Sequence, residues 1–238
     1  MKNVLITGGS RGIGKACVYE FSNNGYRVFL NYNKSSDEAE KIKNETGAVT
    51  VKADVSDSKQ VNDMAEFIHK NYGKIDVIVN NAGISQQKLF TDITENDWDR
   101  MFDVNMKSMY LVTKAFVDDM IYKQSGKIIN ISSMWGVTGG SCEVHYSAAK
   151  AAVIGFTKAL AKEVGPSHIQ VNCVAPGVIK TAMNSHLDKQ TLEMLKEETP
   201  LGVIGTTEDV AQMVGFLASD HSDFITGQVF GINGGMVI

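Results

Sequence analysis

Two side chains four residues apart, Tyr146 and Lys150, fall on one face of any helix that carries them, with Cα atoms roughly 6 Å apart along its axis. The stretch from Tyr146 to Ala152 is rich in strong helix formers and holds no breaker, so a helix is expected there. An ammonium beside a phenol favours the phenolate. The spacing therefore predicts a Tyr146 pKa drawn down from about 10 toward the working pH, as a general acid or base requires. Ser133 follows the apolar run 127–131, which reads as a buried strand, and a glycine-rich loop leads from there to Tyr146. An ordinary helix with a tyrosine and a solvated lysine has the same spacing, so the reading depends on its companions.

The first companion is near the start of the chain. A strand over Lys2–Thr7, the turn Gly8 to Gly14 and an amphipathic run to Asn24 read as strand, glycine turn and helix. Glycines let a pyrophosphate approach the backbone, and a helix N-terminus adds unpaired N–H groups and partial positive charge. Gly8, Gly12 and Gly14 depart from the G-x-G-x-x-G spacing, and a glycine turn can be merely a tight connection. Its place between the first strand and the first helix favours a dinucleotide site, with Thr7, Gly8, Ser10, Arg11, Gly12, Ile13 and Gly14 as contacts.

The next units are a strand Arg27–Tyr32, a helix Ser35–Thr46 and a strand Ala48–Ala53, completing a βαβαβ half. Asn31, near the end of the second strand, is taken as a contact. No carboxylate appears after that strand until Asp37, whereas Lys34 and Arg11 are placed to meet a 2′-phosphate; this favours NADP over NAD. A solvated surface charge is the alternative for each cation, and the stronger one for Lys34. Asp54 and Val55 close the third strand, where the acid can cap the helix beginning near Asp57, contact an adenine amine, or do both. The strand 74–79 leads into Asn80, Asn81, Ala82 and Gly83. Ligands bind at the carboxyl ends of parallel strands where the order reverses, which puts Asn81, Ala82 and Gly83 beside the nicotinamide half. Asn80 reads equally well as part of an Asn-rich turn.

A helix over Val104–Gln124 carries Met106, Met109, Val112, Phe116 and Met120 at helical spacing, as core or subunit interface. Asn105 near its start is either a structural amide or a group that interrupts regular hydrogen bonding and holds a water near Lys150. After the helix Tyr146–Val164 and the strand Gln170–Val174 come Pro176, Gly177, Val178, Ile179 and Thr181, a further cofactor-binding turn. The segment 182–205 reads as a mobile helical lid over the substrate, with Met183 touching it. A helix Thr207–Ser219 and a strand Gln228–Ile232 follow. The pattern is α/β: a three-layer Rossmann fold with a doubly wound, seven-stranded parallel sheet, in a single domain over 1–238.

Composition narrows the function classes. With 238 residues, 43% of them hydrophobic, the chain can bury one substantial core, and no linker, repeat or low-complexity segment interrupts it. A net charge of −4 argues against nucleic acid or an anionic membrane as partner. Cys17, Cys142 and Cys173 are odd in number and widely spaced, which suggests reduced thiols and no metal. No apolar run approaches membrane-spanning length, and the strand at Lys2 leaves no room for a leader; a soluble cytoplasmic protein is expected.

The set Thr7-Gly8 with Gly12-Ile13-Gly14, then Asn80 to Gly83, Ser133, Tyr146 with Lys150, and Pro176-Gly177 resembles the short-chain dehydrogenase/reductase family from residue 2 to 238. Within it the chain is most similar to the β-ketoacyl-acyl carrier protein (3-oxoacyl-ACP) reductases, in Val171 to Gly177 and in Ile225 to Gln228 with Asn233 to Met236. The resemblance implies a catalytic tetrad. Tyr146 is the general acid, Ser133 holds the carbonyl oxygen, Lys150 binds the nicotinamide ribose, and Asn105 anchors a water in a proton relay. It implies NADPH as hydride donor and a 3-oxoacyl thioester on acyl carrier protein or CoA as substrate. It also implies a homotetramer packed through the two long helices and the last strand.

Departures bear on the substrate. Where those reductases usually read Gly-Gln-Ala-Asn-Tyr, this chain has Cys142, Glu143, Val144, His145 and Tyr146, placing a carboxylate and an imidazole beside the cleft. Positions near Gln124 and Ser167, often basic in relatives that dock a carrier, are neutral, although Lys123 and Lys127 remain. No arginine follows Gly202. A different ketone is therefore the alternative: a steroid, a sugar, a small secondary alcohol's ketone, or an amine-bearing ketone attached to protein, the last favoured by Glu143. A non-catalytic nucleotide-binding member is the rival class, and it predicts damage to the tetrad, which is intact.

Overall fold

The computed structural model describes residues 1–181 and 188–238. Seven strands, β1 (Asn3–Ile6), β2 (Arg27–Tyr32), β3 (Val49–Lys52), β4 (Val77–Asn80), β5 (Gly126–Ile131), β6 (Ile169–Pro176) and β7 (Val229–Ile232), form one sheet. Their order is β3-β2-β1-β4-β5-β6-β7, and every neighbouring pair is parallel. The order reverses between β1 and β4, so a crevice opens at their carboxyl ends. β1, β4 and β5 are buried along their whole length, the expected fate of near-continuous apolar runs in a sheet covered on both faces.

Alternation along the strands assigns each face its helices. Val4 and Ile6 of β1 pack with α1 (Gly12–Asn23), α2 (Ser36–Thr46) and α9 (Thr207–Ala218) through Phe21, Ile42 and Val214. Leu5, between them, faces α3 (Ser58–Tyr72), α5 (Ser108–Lys123) and α7 (Val144–Val164) through Ile68, Phe116 and Val164. Between the layers Asn80 donates to Thr113 Oγ1 at 3.0 Å and Asn130 Oδ1 at 2.9 Å, and Asn130 donates to Thr157 Oγ1 at 2.9 Å. Asn80 is thus a buried strand residue rather than part of a turn.

Three elements differ from expectation. The helix expected to begin at Val104 continues a polar helix, α4 (Glu95–Phe102), through a π-helical turn at Asp103–Lys107. Only its start signal was available: Thr94 accepts from Asp97 N at 3.1 Å and Asp97 accepts from Thr94 N at 3.0 Å, a capping box. α7 begins two residues early, at Val144, after a short α6 (Trp135–Thr138). Of the expected lid, α8 (Lys189–Glu198) is helical with Asp188 as cap and no buried residue; Ala182 to Leu187, including Met183, lie outside the described residues. Asp57, not Asp54, caps α3, accepting from Lys59 N at 2.8 Å.

Candidate active site

The carboxyl ends of β1, β4, β5 and β6 bring the expected residues to one crevice. Thr7 Oγ1, just past β1, accepts from both Asn81 N and Ala82 N at 3.0 Å, and Asn81 Nδ2 donates to Thr7 O at 2.9 Å. The loop after β4 is thereby pinned to the glycine turn. Gly8 and Gly12 have φ of +64° and +53°, and a Cβ on Gly14 would lie 2.3 Å from Gly8 O. No side chain fits at Gly14, so the turn closes only with glycine. α1 starts there with Arg11 extended and exposed, no side-chain cap and no acid in its first turn. Ser10 is buried and Ile13 half-buried. The segment after β6 returns over this turn: Gly177 N donates to Ile232 O at 2.9 Å, Val178 O accepts from Gly205 N at 3.2 Å, Ile179 is buried, and the Thr181 methyl lies 3.6 Å from where a Gly12 Cβ would be.

Two of the expected cofactor contacts are hydrogen-bonded within the protein. Asn31 is 1% exposed; its amide donates to Val51 O and Ala53 O at 3.3 and 3.1 Å, and its oxygen faces Gly8 N. It shapes the turn from inside the sheet and has no side-chain surface for a ligand. Asp54 accepts from Ser56 Oγ at 2.6 Å and from Asn33 Nδ2 at 2.9 Å, and lies 3.9 Å from Arg100 on α4. Burial works to raise its pKa, but these bonds and the guanidinium hold it below the usual carboxylate range. Val55 is buried beside it and Lys34 is exposed.

The candidate catalytic group is assembled from three elements. Ser133 follows β5; its hydroxyl accepts from Trp135 N at 3.2 Å and lies on the side of the Tyr146 phenol, where it favours the ionised form. Tyr146 is packed among Met101, Ile84, Phe102, Trp135 and Ala149. Lys150 is 4% exposed, with Nζ 3.0 Å from Ile131 O and 5.8 Å from the Tyr146 ring centre. Gly83 faces both Asn105 and Lys150, since a Cβ there would lie 2.7 Å from Asn105 Oδ1 and 3.4 Å from Lys150 Nζ. Asn105, in the π turn, donates to Ile84 O and Met101 O at 3.0 Å. Its amide thus fastens the loop after β4 to α4.

The phenol does not titrate as expected. Burial pushes the Tyr146 pKa up to about 12; the Ser133 hydroxyl opposes this and the charge of Glu143 adds to it. Lys150 does not draw it down. Burial drives the lysine itself down to about 8, and its amine donates to a backbone carbonyl instead of reaching the phenol oxygen. Tyr146 therefore stands protonated at neutral pH. It carries the proton, and its raised pKa makes it a weak acid that releases the proton only to an oxygen on which negative charge develops.

Two contributors, Ser132 and Gly136, were not singled out from sequence. Ser132 Oγ donates to Lys150 O at 2.8 Å, and Gly136 lets α6 approach α7, since a Cβ would lie 2.7 Å from Lys150 C. Glu143 is the N-cap residue of α7, and its charge acts on the phenol. His145 is fully buried and turned toward Gln86, so it does not line the cleft. Lys127 pairs with Asp223 at 2.7 Å, and Lys123 pairs with Asp76. Lys127 opens β5 while Ser133 follows its end, roughly 20 Å away, so this pair lies far from the phenol.

The arrangement has the parts of a dinucleotide-dependent carbonyl chemistry: a backbone cradle that only glycines permit, and a protonated phenol beside a second hydroxyl. Comparisons with known proteins agree. Residues 8–237 match a family model described as enoyl-(acyl carrier protein) reductase, one of the short-chain dehydrogenase/reductase models. The chain is 41% identical over 242 residues to the 3-oxoacyl-[acyl-carrier-protein] reductase of Thermotoga maritima, covering 100% of this chain and 98% of that one. It is 41% identical over 240 residues to the enzyme of that name from Chlamydia muridarum (99% and 97% covered) and 38% identical over 240 to that of Staphylococcus aureus (99% and 98%).

Proposed function

The chain belongs to the short-chain dehydrogenase/reductase family, and from that premise we propose that it reduces a 3-oxoacyl thioester to the 3-hydroxyacyl form. The observation that carries this reading is the convergence of the Ser133 hydroxyl, the buried Tyr146 phenol and the buried Lys150 amine at the carboxyl end of β5. Two hydroxyls converging on one oxygen meet the negative charge that develops there, and the phenol completes the alcohol by releasing its proton to that oxygen.

The residues of the glycine turn would hold NADPH, which would supply the hydride. Arg11, within the turn, and Lys34, two residues past β2, would meet its 2′-phosphate; both are exposed, and the end of β2 carries no carboxylate to favour NAD. Gly12, Gly14 and the uncapped start of α1 receive the pyrophosphate. Asn81, Ala82, Gly83 and the turn 176–181 hold the nicotinamide half. Lys150 binds its ribose, and Asn105, which fastens the loop over Lys150, anchors the water that returns a proton to Tyr146.

The substrate arrives on acyl carrier protein, as the names of the curated relatives support, or on CoA. Residues 188–205, with α8, cover its acyl chain. The chain acts as a cytoplasmic homotetramer, which the exposed Tyr110, Ile121 and Tyr122 on α5 and the exposed Phe224 before β7 support; among the described residues no helix is long and apolar enough to cross a membrane. A second reading, an amine-bearing ketone, is supported by the Glu143 charge acting at the phenol. Following NADPH oxidation with acetoacetyl, crotonyl and amine-bearing ketone substrates separates these: turnover of the acetoacetyl thioester is expected. Turnover of crotonyl thioester alone would make it an enoyl reductase, as the family model's description has it, and turnover of the amine-bearing ketone alone would favour the second reading.

A further inference from the structure

His145 stands next to Tyr146 on α7 and is fully buried. Its Nε2 lies 2.9 Å from Gln86 Oε1, and Gln86 Nε2 donates to Asp97 Oδ1 at 3.1 Å. The other Asp97 oxygen accepts from Lys88 Nζ at 2.7 Å and from Thr94 N and Oγ1 at 3.0 and 2.7 Å. Lys88, Thr94 and Gln86 together hold the Asp97 carboxyl well below the usual range, so it is ionised and can only accept. This orients the Gln86 amide with its oxygen toward His145, and the imidazole must carry its proton on Nε2. Nδ1 is then a bare acceptor, buried and without a hydrogen-bond partner. Protonation would put an N–H there with nothing to receive it. Burial accordingly lowers the His145 pKa, with Asp97 favouring and Lys88 opposing the cation.

Packing alone does not call for an imidazole with one orphaned nitrogen, since an apolar side chain would fill the space without it. What the imidazole adds is the bond to Gln86. That bond joins three elements, α7 through His145, the loop after β4 through Gln86, and α4 through Asp97. The wall against the Tyr146 ring comes from the last two, as Ile84, Met101 and Phe102. The same loop is stitched again to the segment before α7 by Lys88 N, which donates to Cys142 O at 2.7 Å, and it carries the exposed Leu89 and Phe90.

We infer that His145, Gln86 and Asp97 form a hydrogen-bonded latch, built on a neutral imidazole and an ionised carboxylate, holding residues 84–102 against the catalytic helix, which makes His145 and Gln86 positioning residues for Tyr146. The inference rests on the reductase reading for its kinetic consequence, but its structural consequence is independent of any substrate.

The test compares the full-length protein with His145→Leu, Gln86→Leu and His145→Gln by three measurements: hydrogen exchange without ligand, kcat and KM with acetoacetyl thioester, and NADPH affinity. Both leucine variants are expected to speed exchange across 84–102 and to lower kcat roughly 10- to 100-fold through misalignment, with NADPH affinity unchanged because the glycine turn is not in the latch. His145→Gln keeps a donor at the Nε2 position and should restore both. Gln86 is only half-buried, so Gln86→Leu decides the matter if His145→Leu does not fold. Wild-type exchange across 84–102 in the leucine variants, losses that merely track overall thermal stability, or no recovery in His145→Gln would each overturn the latch. Should the wild-type protein reduce no ketone, the reductase reading falls, and the exchange measurement still decides the latch.

Discussion

The two walls of the crevice are built on different principles. The cofactor wall is a backbone surface: Gly8, Gly12 and Gly14 fold it, Thr7 and Asn81 pin it, and one added methyl at Gly14 would meet a carbonyl oxygen at 2.3 Å. The substrate wall is a side-chain assembly, in which Asn105, Gln86, Asp97 and His145 tie a loop and a polar helix to the helix of Tyr146. A backbone wall tolerates almost any change except a new Cβ. A side-chain wall fails when one donor or acceptor is lost.

Mutations can break that contrast in graded steps. Gly14→Val should have the largest effect on the cofactor wall, because Gly8 O and Asn81 Nδ2 cannot both move aside. A stability loss of roughly 3 kcal/mol or more, together with loss of NADPH binding, is expected in denaturant melts and fluorescence titration; a variant that still binds NADPH would mean the turn is not the cradle.

Lys150→Met sharpens the contrast in the other direction. The buried ammonium, its pKa lowered from 10.5 to about 8, costs the unliganded fold about 3 kcal/mol while charged. The variant should therefore be more stable by about that amount below pH 8. The gain fades as pH rises from 8 toward 10.5, where the native and unfolded lysines are both neutral. Turnover should be lost throughout. A melting series in which Lys150→Met is destabilised at neutral pH would show that the amine is better accommodated than its surroundings imply.

The smallest effect is expected at the capping box of α4. Thr94→Ala removes the acceptor for Asp97 N and should cost about 1 kcal/mol, read by chemical denaturation. Equal stability would mean the Asp97 network holds the helix start without it.

The same contrast explains what could be read from the sequence. The cofactor wall was legible because its requirement is a residue type at a position: glycines between a first strand and a first helix. β2 was expected over its observed residues for a similar reason, as an apolar run between turn signals. The inward bonds of Asn31 were not legible because strand periodicity does not say whether an amide faces the crevice or turns to Val51 and Ala53. α4 was missed because ENDWDRMF is mostly polar, with only Met101 buried, so no apolar stripe announced it; Thr94 and Asp97 were its sole mark. The Tyr146 pKa was given the wrong direction because helical spacing fixes a Cα separation, while the sign depends on burial and on where the lysine amine donates. The latch is invisible to sequence reading, since His145, Gln86 and Asp97 meet only after three elements have packed.

The central claim is that Ser133 and Tyr146 grip one oxygen and that the phenol gives it a proton. It is tested most directly by following NADPH oxidation with acetoacetyl thioester in Tyr146→Phe while measuring NADPH affinity in the same protein. The account predicts kcat reduced by roughly 10²- to 10⁴-fold with affinity nearly unchanged, since Lys150 and the glycine turn are untouched. Turnover close to wild type in Tyr146→Phe would contradict it.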